Sequence, residues 1–270
     1  MKRLMETNAD KCSVANQSGL NNSFASGGGE IFAGKKPLLS LTIIRDNRKI
    51  YTNIPRIPFS RSIHEKIAPD TSFAYRLIGA NIGYIYPGQL TDGDLVEIKT
   101  AFKNTRGVII DMRCYPKVFM PFSYGKWLKC KQSSFVKFST ADITMPGRFL
   151  LTGPEVNGGD PMNCYSGKVV IIVNNRTISQ SEYTVMALAS RPNTIVIGDT
   201  TAGTDGDVSE IKLPGGISSY MSGLGILYPD GRQTQKVGVN IDKIVRPTLK
   251  GILAGKDEQL DEAISLINNQ

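Results

Sequence analysis

From Lys168 to Val173 the chain is apolar after its first residue and rich in Val and Ile, which predicts a strand buried on both faces. A polar turn, Asn174-Asn175-Arg176-Thr177, follows it. Ile178 then leads into Ser179-Gln180-Ser181-Glu182, after which Tyr183, Val185, Met186, Leu188 and Ala189 recur at helical spacing. The pattern predicts a helix starting at or near these serines, its free N–H groups and positive dipole end facing whatever binds there. Thr194 to Ile197 predicts a second buried strand, and the Gly-rich segment Thr201-Ala202-Gly203-Thr204-Asp205-Gly206 turns the chain back. The stretch Gly167 to Glu210 therefore presents a hydroxyl at a strand-to-helix turn, where an attacking oxygen and an oxyanion-binding backbone can sit together. A Ser N-cap with a Glu in the first turn explains the same residues without chemistry, and pattern alone leaves both readings open.

Similar layering is predicted on either side. Ile82 to Ile85 reads as a short strand, Thr91-Asp92-Gly93-Asp94 caps a helix running through Phe102, and Val108 to Met112 reads as another strand. Strand, helix, strand at this spacing predicts an α/β fold with helices packed on a largely parallel sheet. The segment Gly125 to Gly159 shows no clear period and has room for insertions over the site. Leu213-Pro214-Gly215-Gly216 and Tyr228-Pro229-Asp230-Gly231 punctuate short strands, and an amphipathic helix, Glu258 to Asn268, closes the chain. Towards the amino end, Leu39, Leu41 and Ile43 alternate, Asp46-Asn47 marks a turn, and Ile50 to Ile54 resumes, a hairpin too small to bury a core alone. Residues 1–29 are polar and rich in Asn, Ser and Gly, and are expected to be a disordered lead. Pro55 to Pro69 reads as a crossing segment; its His64, flanked by Glu65 and Lys66, reads as a solvated residue rather than a base.

Composition narrows the function classes. The 270 residues, 40% hydrophobic and 21% charged, are those of an ordinary globular protein. The net charge of +8 is spread along the chain, with short clusters at Lys35-Lys36 and Lys126 to Lys131, so no nucleic-acid footprint is read from it. Cys12, Cys114, Cys130 and Cys164 lack CxxC spacing, and a single histidine cannot complete a Cys/His zinc set, so neither metal nor cofactor is expected; disulfides are neither demanded nor excluded. No apolar run approaches a membrane span, and MKRLMETNADKC carries no apolar core of a secretory signal.

Taken together, five segments resemble the S41 family of serine peptidases, the C-terminal processing or tail-specific proteases and their tricorn-like relatives. Ile82-Gly83-Tyr84-Ile85 resembles the family's Gly-Tyr-Ile strand, and Gly107 to Arg113 its Ile-Leu-Asp-Leu-Arg strand. Ser179-Gln180-Ser181-Glu182 matches Ser-x-Ser/Ala-Glu, and Val196-Ile197-Gly198 with Thr201-Ala202-Gly203 matches the next strand and its Thr-x-Gly turn. Gly238-Val239 with Asp242 is similar to the late Gly-Val-x-Pro-Asp element, Ile241 standing for the proline. Tyr228 to Arg232 and Thr234-Gln235 resemble the Bacteroides-type versions. The resemblance covers about residues 37 to 267. It implies a layered β-α sandwich, crotonase- and ClpP-like, divided here as a lead at 1–29, a partial PDZ-like β module at 30–56 and the peptidase core at 57–270.

The resemblance also implies roles. Ser179 becomes the nucleophile, Ser181 a neighbour, and the Gln180 N–H an oxyanion donor, with a second donor from the loop Cys114 to Val118, which lacks the family's glycines. Glu182, Thr204 and Gln235 become candidate supporting residues. The processing-protease branch places its basic lysine at the position held here by Thr204, which cannot serve as that base. The tricorn-like branch uses an upstream histidine and a late glutamate; His64 follows the hairpin instead of preceding it, and Gln233 and Gln235 stand near the glutamate's place. The general base is thus missing from this chain. The expectation is a truncated copy of a Ser-His peptidase, and the alternative is a degenerate, noncatalytic peptide-binding homologue. An extended or C-terminal polypeptide is the implied substrate, and a periplasmic or cell-envelope setting is implied by the family; the sequence does not fix an oligomeric state.

Overall fold

The computed structural model of the protein describes residues 16–19, 37–55 and 73–269. His64 lies outside the described residues, as do the crossing segment beyond Pro55 and all of the expected lead except residues 16–19. Residues 37–55 belong to one compact unit, and residues 16–19 with 73–269 to another.

In the first unit β1 (Leu38–Arg45) pairs antiparallel with β2 (Arg48–Pro55). Asp46 and Asn47 both take positive φ, 49° and 59°, as a two-residue hairpin turn matched to the strand twist requires.

The second unit is a mixed α/β structure. Its strands are β3 (Tyr75–Ile78), β4 (Ile82–Ile85), β5 (Gly107–Asp111), β6 (Ser133–Ala141), β7 (Phe149–Leu151), β8 (Glu155–Asn157), β9 (Lys168–Val173), β10 (Thr194–Gly198), β11 (Ser209–Leu213), β12 (Ile217–Met221), β13 (Gly225–Leu227) and β14 (Lys243–Ile244). Its helices are α1 (Asp94–Ala101), α2 (Ser123–Leu128), α3 (Gln180–Ala189), α4 (Leu249–Leu253) and α5 (Glu258–Asn268). The main sheet has the order β14-β10-β9-β5-β4-β3, parallel except at the β3 edge.

Both faces of this sheet are covered, and alternation decides which side chain goes where. Val108 and Ile110 of β5, with Val169, Ile171 and Val173 of β9, pack with Ile98 of α1, the neighbouring Phe102, and Val185, Met186 and Leu188 of α3. Ile109, Val170 and Ile172 point the other way and meet Ala263 and Ile267 of α5. Central strands buried on both sides need no polar alternation, which is why β9 reads as a continuous apolar run.

The segment without a clear period is itself ordered. It supplies α2 and a second, antiparallel arrangement in which β6 pairs with β13, β7 and β8. A register shift between Ser134 and Val136 buries the adjacent Phe135 and Val136 together, so the two-residue period is broken where it would have been diagnostic.

Three polar features tie these layers together. Arg113, just past β5, bonds Asp111 through Nε at 2.9 Å and a terminal nitrogen at 2.7 Å, and reaches Asp257 at 2.9 and 2.6 Å and Gln259 at 3.0 Å. Asp257 caps α5 through the Leu260 N–H, and Asp111 also accepts from the Tyr84 hydroxyl at 2.7 Å. Lys129, 1% exposed, donates to Asn157 and, at 2.7 Å, to the Ser190 hydroxyl just beyond the end of α3; burial pushes its ammonium down to about 8. Beside it Cys130 is bonded to Cys164, a pairing the spacing left open, while Cys114 is free and buried, its thiol pushed up to about 12 chiefly by burial; Cys12 lies outside the described residues.

Two stability predictions follow from these ties. Arg113→Ala leaves Asp111 buried without its cation and is expected to cost about 3–5 kcal/mol in urea unfolding; a loss under about 1 kcal/mol, the scale of a surface pair, would contradict it. Cys130 and Cys164 lie 34 residues apart. Reducing their bond is expected to lower unfolding stability by about 3–4 kcal/mol, read from denaturation with and without a phosphine reductant.

Candidate active site

The turn from β9 into α3 is fixed before its serine is reached. Thr177 is buried, donates its hydroxyl to the Met112 carbonyl at 2.8 Å, and receives the Asn174 N–H at 3.0 Å. The Ala202 N–H donates to the Thr177 carbonyl at 3.1 Å, so the chain after β10 is bonded to the same turn.

Ser179 follows with φ 51° and ψ −120°. An ordinary N-cap takes extended backbone. A side chain at positive φ outside glycine costs on the order of 1–3 kcal/mol and persists only where surrounding structure holds it. The sharp, strained strand-to-helix turn is the form that lifts a nucleophilic hydroxyl out of its own helix. Ser179 is half-buried and shares a capping box with Glu182.

Glu182 supplies the hold. Its carboxylate, in a side chain 1% exposed, accepts four donors: the Ser179 N–H at 3.2 Å, the Thr201 hydroxyl at 2.5 Å, the Gly203 N–H at 2.7 Å and the Thr204 N–H at 2.9 Å. Oε2 is shared by Ser179 and Thr204, which places those two backbone amides side by side on one oxygen. Burial pushes the Glu182 carboxyl up, and the Thr201, Thr204, Gly203 and Ser179 donors work against it. Gly203 sits at φ 66°, where a Cβ would stand 3.0 Å from the carbonyl carbon of Lys236, so the turn that delivers two of these N–H groups requires glycine. The Asn16 side chain donates to the Thr201 carbonyl at 3.1 Å on the same turn.

At the helix start, Ser181 N–H is taken by Ile178 and Glu182 N–H by Ser179. The Gln180 N–H has no acceptor among the described residues, as expected for the first helical position. Ser181 is different from Ser179 in every respect: it is buried and its hydroxyl donates to the Cys114 carbonyl at 2.7 Å. The Gln180 side chain donates to the Val118 carbonyl at 3.3 Å, so the loop without glycine is pinned to the helix start from both sides. Within that loop the Lys117 N–H is committed to the Pro87 carbonyl at 3.0 Å.

Ser179, Gln180, Glu182 and Thr204 are therefore brought together. Gln235 stands nearby: the N–H of the next residue, Lys236, donates to Gly203 at 2.7 Å, and the Gln235 amide donates to the Leu224 carbonyl at 3.4 Å. Two further groups lie beside the Ser179 turn, one on Thr204, already a candidate of the sequence, and one on Asp205, which the sequence left unmarked. The Thr204 hydroxyl is buried with no hydrogen-bond partner among the described residues, and so is Oδ2 of Asp205, a residue 4% exposed. Burial, followed by the Glu182 charge, pushes the Asp205 carboxyl up to about 8. No group of three or more His, Cys, Asp or Glu side chains suited to a metal occurs among the described residues, and no helix among them is long and apolar enough to cross a membrane.

Residues 133–245 match the model of Peptidase family S41. No curated protein matches the chain. Among solved structures, a candidate peptidase from Parabacteroides merdae is 21% identical over 72% of this chain and 63% of its own length, with a TM-score of 0.62. Mature CPAF in complex with lactacystin is 15% identical over 88% of this chain and 70% of its own, with a TM-score of 0.65. At such identities the structures speak for the fold, and this chain spans less than two thirds of the Parabacteroides protein. The chain is thus similar to Peptidase family S41 in sequence over residues 133–245, and its fold is similar to those of the two solved structures over 72% and 88% of its length.

Proposed function

We propose that the second unit is a serine-type peptidase domain with Ser179 as nucleophile. The observation that carries this reading is the backbone of Ser179, held at positive φ on a strand-to-helix turn by a buried carboxylate. Its hydroxyl oxygen attacks the peptide carbonyl carbon, the Oγ–C bond forms as the carbonyl π pair moves onto oxygen, and the Gln180 N–H receives that oxyanion. The Ser179 hydroxyl proton passes through a general base, a role Thr204 cannot fill, to the leaving nitrogen as the C–N bond breaks, and the acyl-enzyme that remains is hydrolysed by water. The substrate is an extended or C-terminal polypeptide segment, added as a strand beside the site. In this reading the β1–β2 hairpin is the tail of a PDZ-like module.

The noncatalytic peptide-binding reading is favoured by one observation, Thr204 in place of a basic lysine. The two readings separate with a serine-reactive phosphonate. Labelling of the parent and its loss in Ser179→Ala supports the peptidase; equal labelling of the two, or none of either, sinks it and leaves peptide binding without turnover.

Glu182→Gln tests the hold itself. Its amide NH2 would face N–H donors in place of one accepting oxygen, so labelling is expected to slow on the order of a hundredfold, the scale of a small misplacement of a reacting atom. A parental labelling rate would show that the carboxylate does not position Ser179.

A further inference from the structure

Glu182 and Asp205 are two buried carboxyls on turns that meet at Ser179, and neither has an ion-pair partner among the described residues. Their surroundings are unequal. Both oxygens of Glu182 are used, by four donors. Among the described residues Asp205 accepts only the Gly206 N–H, at 3.0 Å on Oδ1, and its buried Oδ2 has no partner. Two adjacent anions without a cation are expensive in such a place, whereas a neutral acid at Asp205 removes one charge and turns Oδ2 into a possible donor. The donors at Glu182 suit an anion, so the neutral member of the pair is Asp205.

We propose that Asp205 is a positioning residue for Ser179, acting through Glu182: as a neutral acid it leaves Glu182 the single anion of the turn, and as an anion it opposes that charge and loosens the turn. The inference rests on the reading of Ser179 as nucleophile. The titratable groups facing Asp205 are Glu182 and Tyr183, both from the start of α3; the phenol of Tyr183 is itself pushed up, by burial first and then by Glu155 and Asp205. The neighbouring Gln235 is uncharged, its Nε2 lying 2.9 Å from where a Cβ on Gly206 would stand.

The folded chain keeps a proton on Asp205 up to pH about 8 that an unfolded aspartate releases near 3.8. The stability this contributes is full below the unfolded value and is lost as pH rises through about 8.

The test follows thermal unfolding and the phosphonate labelling rate of the full chain from about pH 5 to 9, for the parent, Asp205→Asn, Asp205→Ser and Asp205→Glu. The parent and Asp205→Glu are expected to lose melting temperature with rising pH relative to both neutral variants, and parental labelling to fall relative to theirs as pH passes about 8. Neutral variants that follow the parental profile in both readouts would overturn the proposal; Asp205→Ser carries the comparison should Asp205→Asn not fold. Different stability profiles with labelling in neither parent nor variants would uphold the coupling of the two carboxyls and refute Ser179 as nucleophile.

Discussion

The Glu182 carboxylate is the interaction on which the rest of the site depends. It is a buried carboxylate with no ion-pair partner among the described residues, and four donors from two turns compensate for its lost water. Those turns end β9 and β10, adjacent parallel strands of the main sheet. The sheet sets the spacing of the two strand ends, and Glu182 converts that spacing into a defined backbone at Ser179. Strain at one residue is thereby held by a network the whole core supports.

Around this centre the fold separates rigid and variable parts. Arg113 joins the end of β5 to the start of α5 in one ion-pair network. The loop from Cys114 to Val118 carries no glycine, yet the Ser181 hydroxyl and the Gln180 side chain anchor it at two carbonyls. A loop that another chain could shape with glycine is shaped here by bonds from the start of α3.

How legible all this was depended on whether a feature is local. β4, β9 and α5 match their expected ranges, because a buried parallel strand and an amphipathic helix each write a continuous period. The bulge in β6 erased that period, which left the antiparallel part of the fold unread. The pairing of Cys130 with Cys164 depends on tertiary proximity that spacing does not encode. In the site, Ser179 could be singled out from its surrounding letters, but its positive φ could not be read, since nothing in a serine's own chemistry asks for it. Asp205 was passed over as a turn residue: an aspartate among glycines reads as exposed until a structure buries it.

One further consequence lies at the other end of α3. The helix carries an anion over its first turn and, through the Ser190 hydroxyl, the Lys129 ammonium just past its last. Both charges complement the helix dipole, so α3 acts as a polarised rod about 15 Å long with the Gln180 N–H at its positive tip. A change of charge at Lys129 would thus reach the Gln180 N–H as a weakened electric field, with no atom near Ser179 having to move.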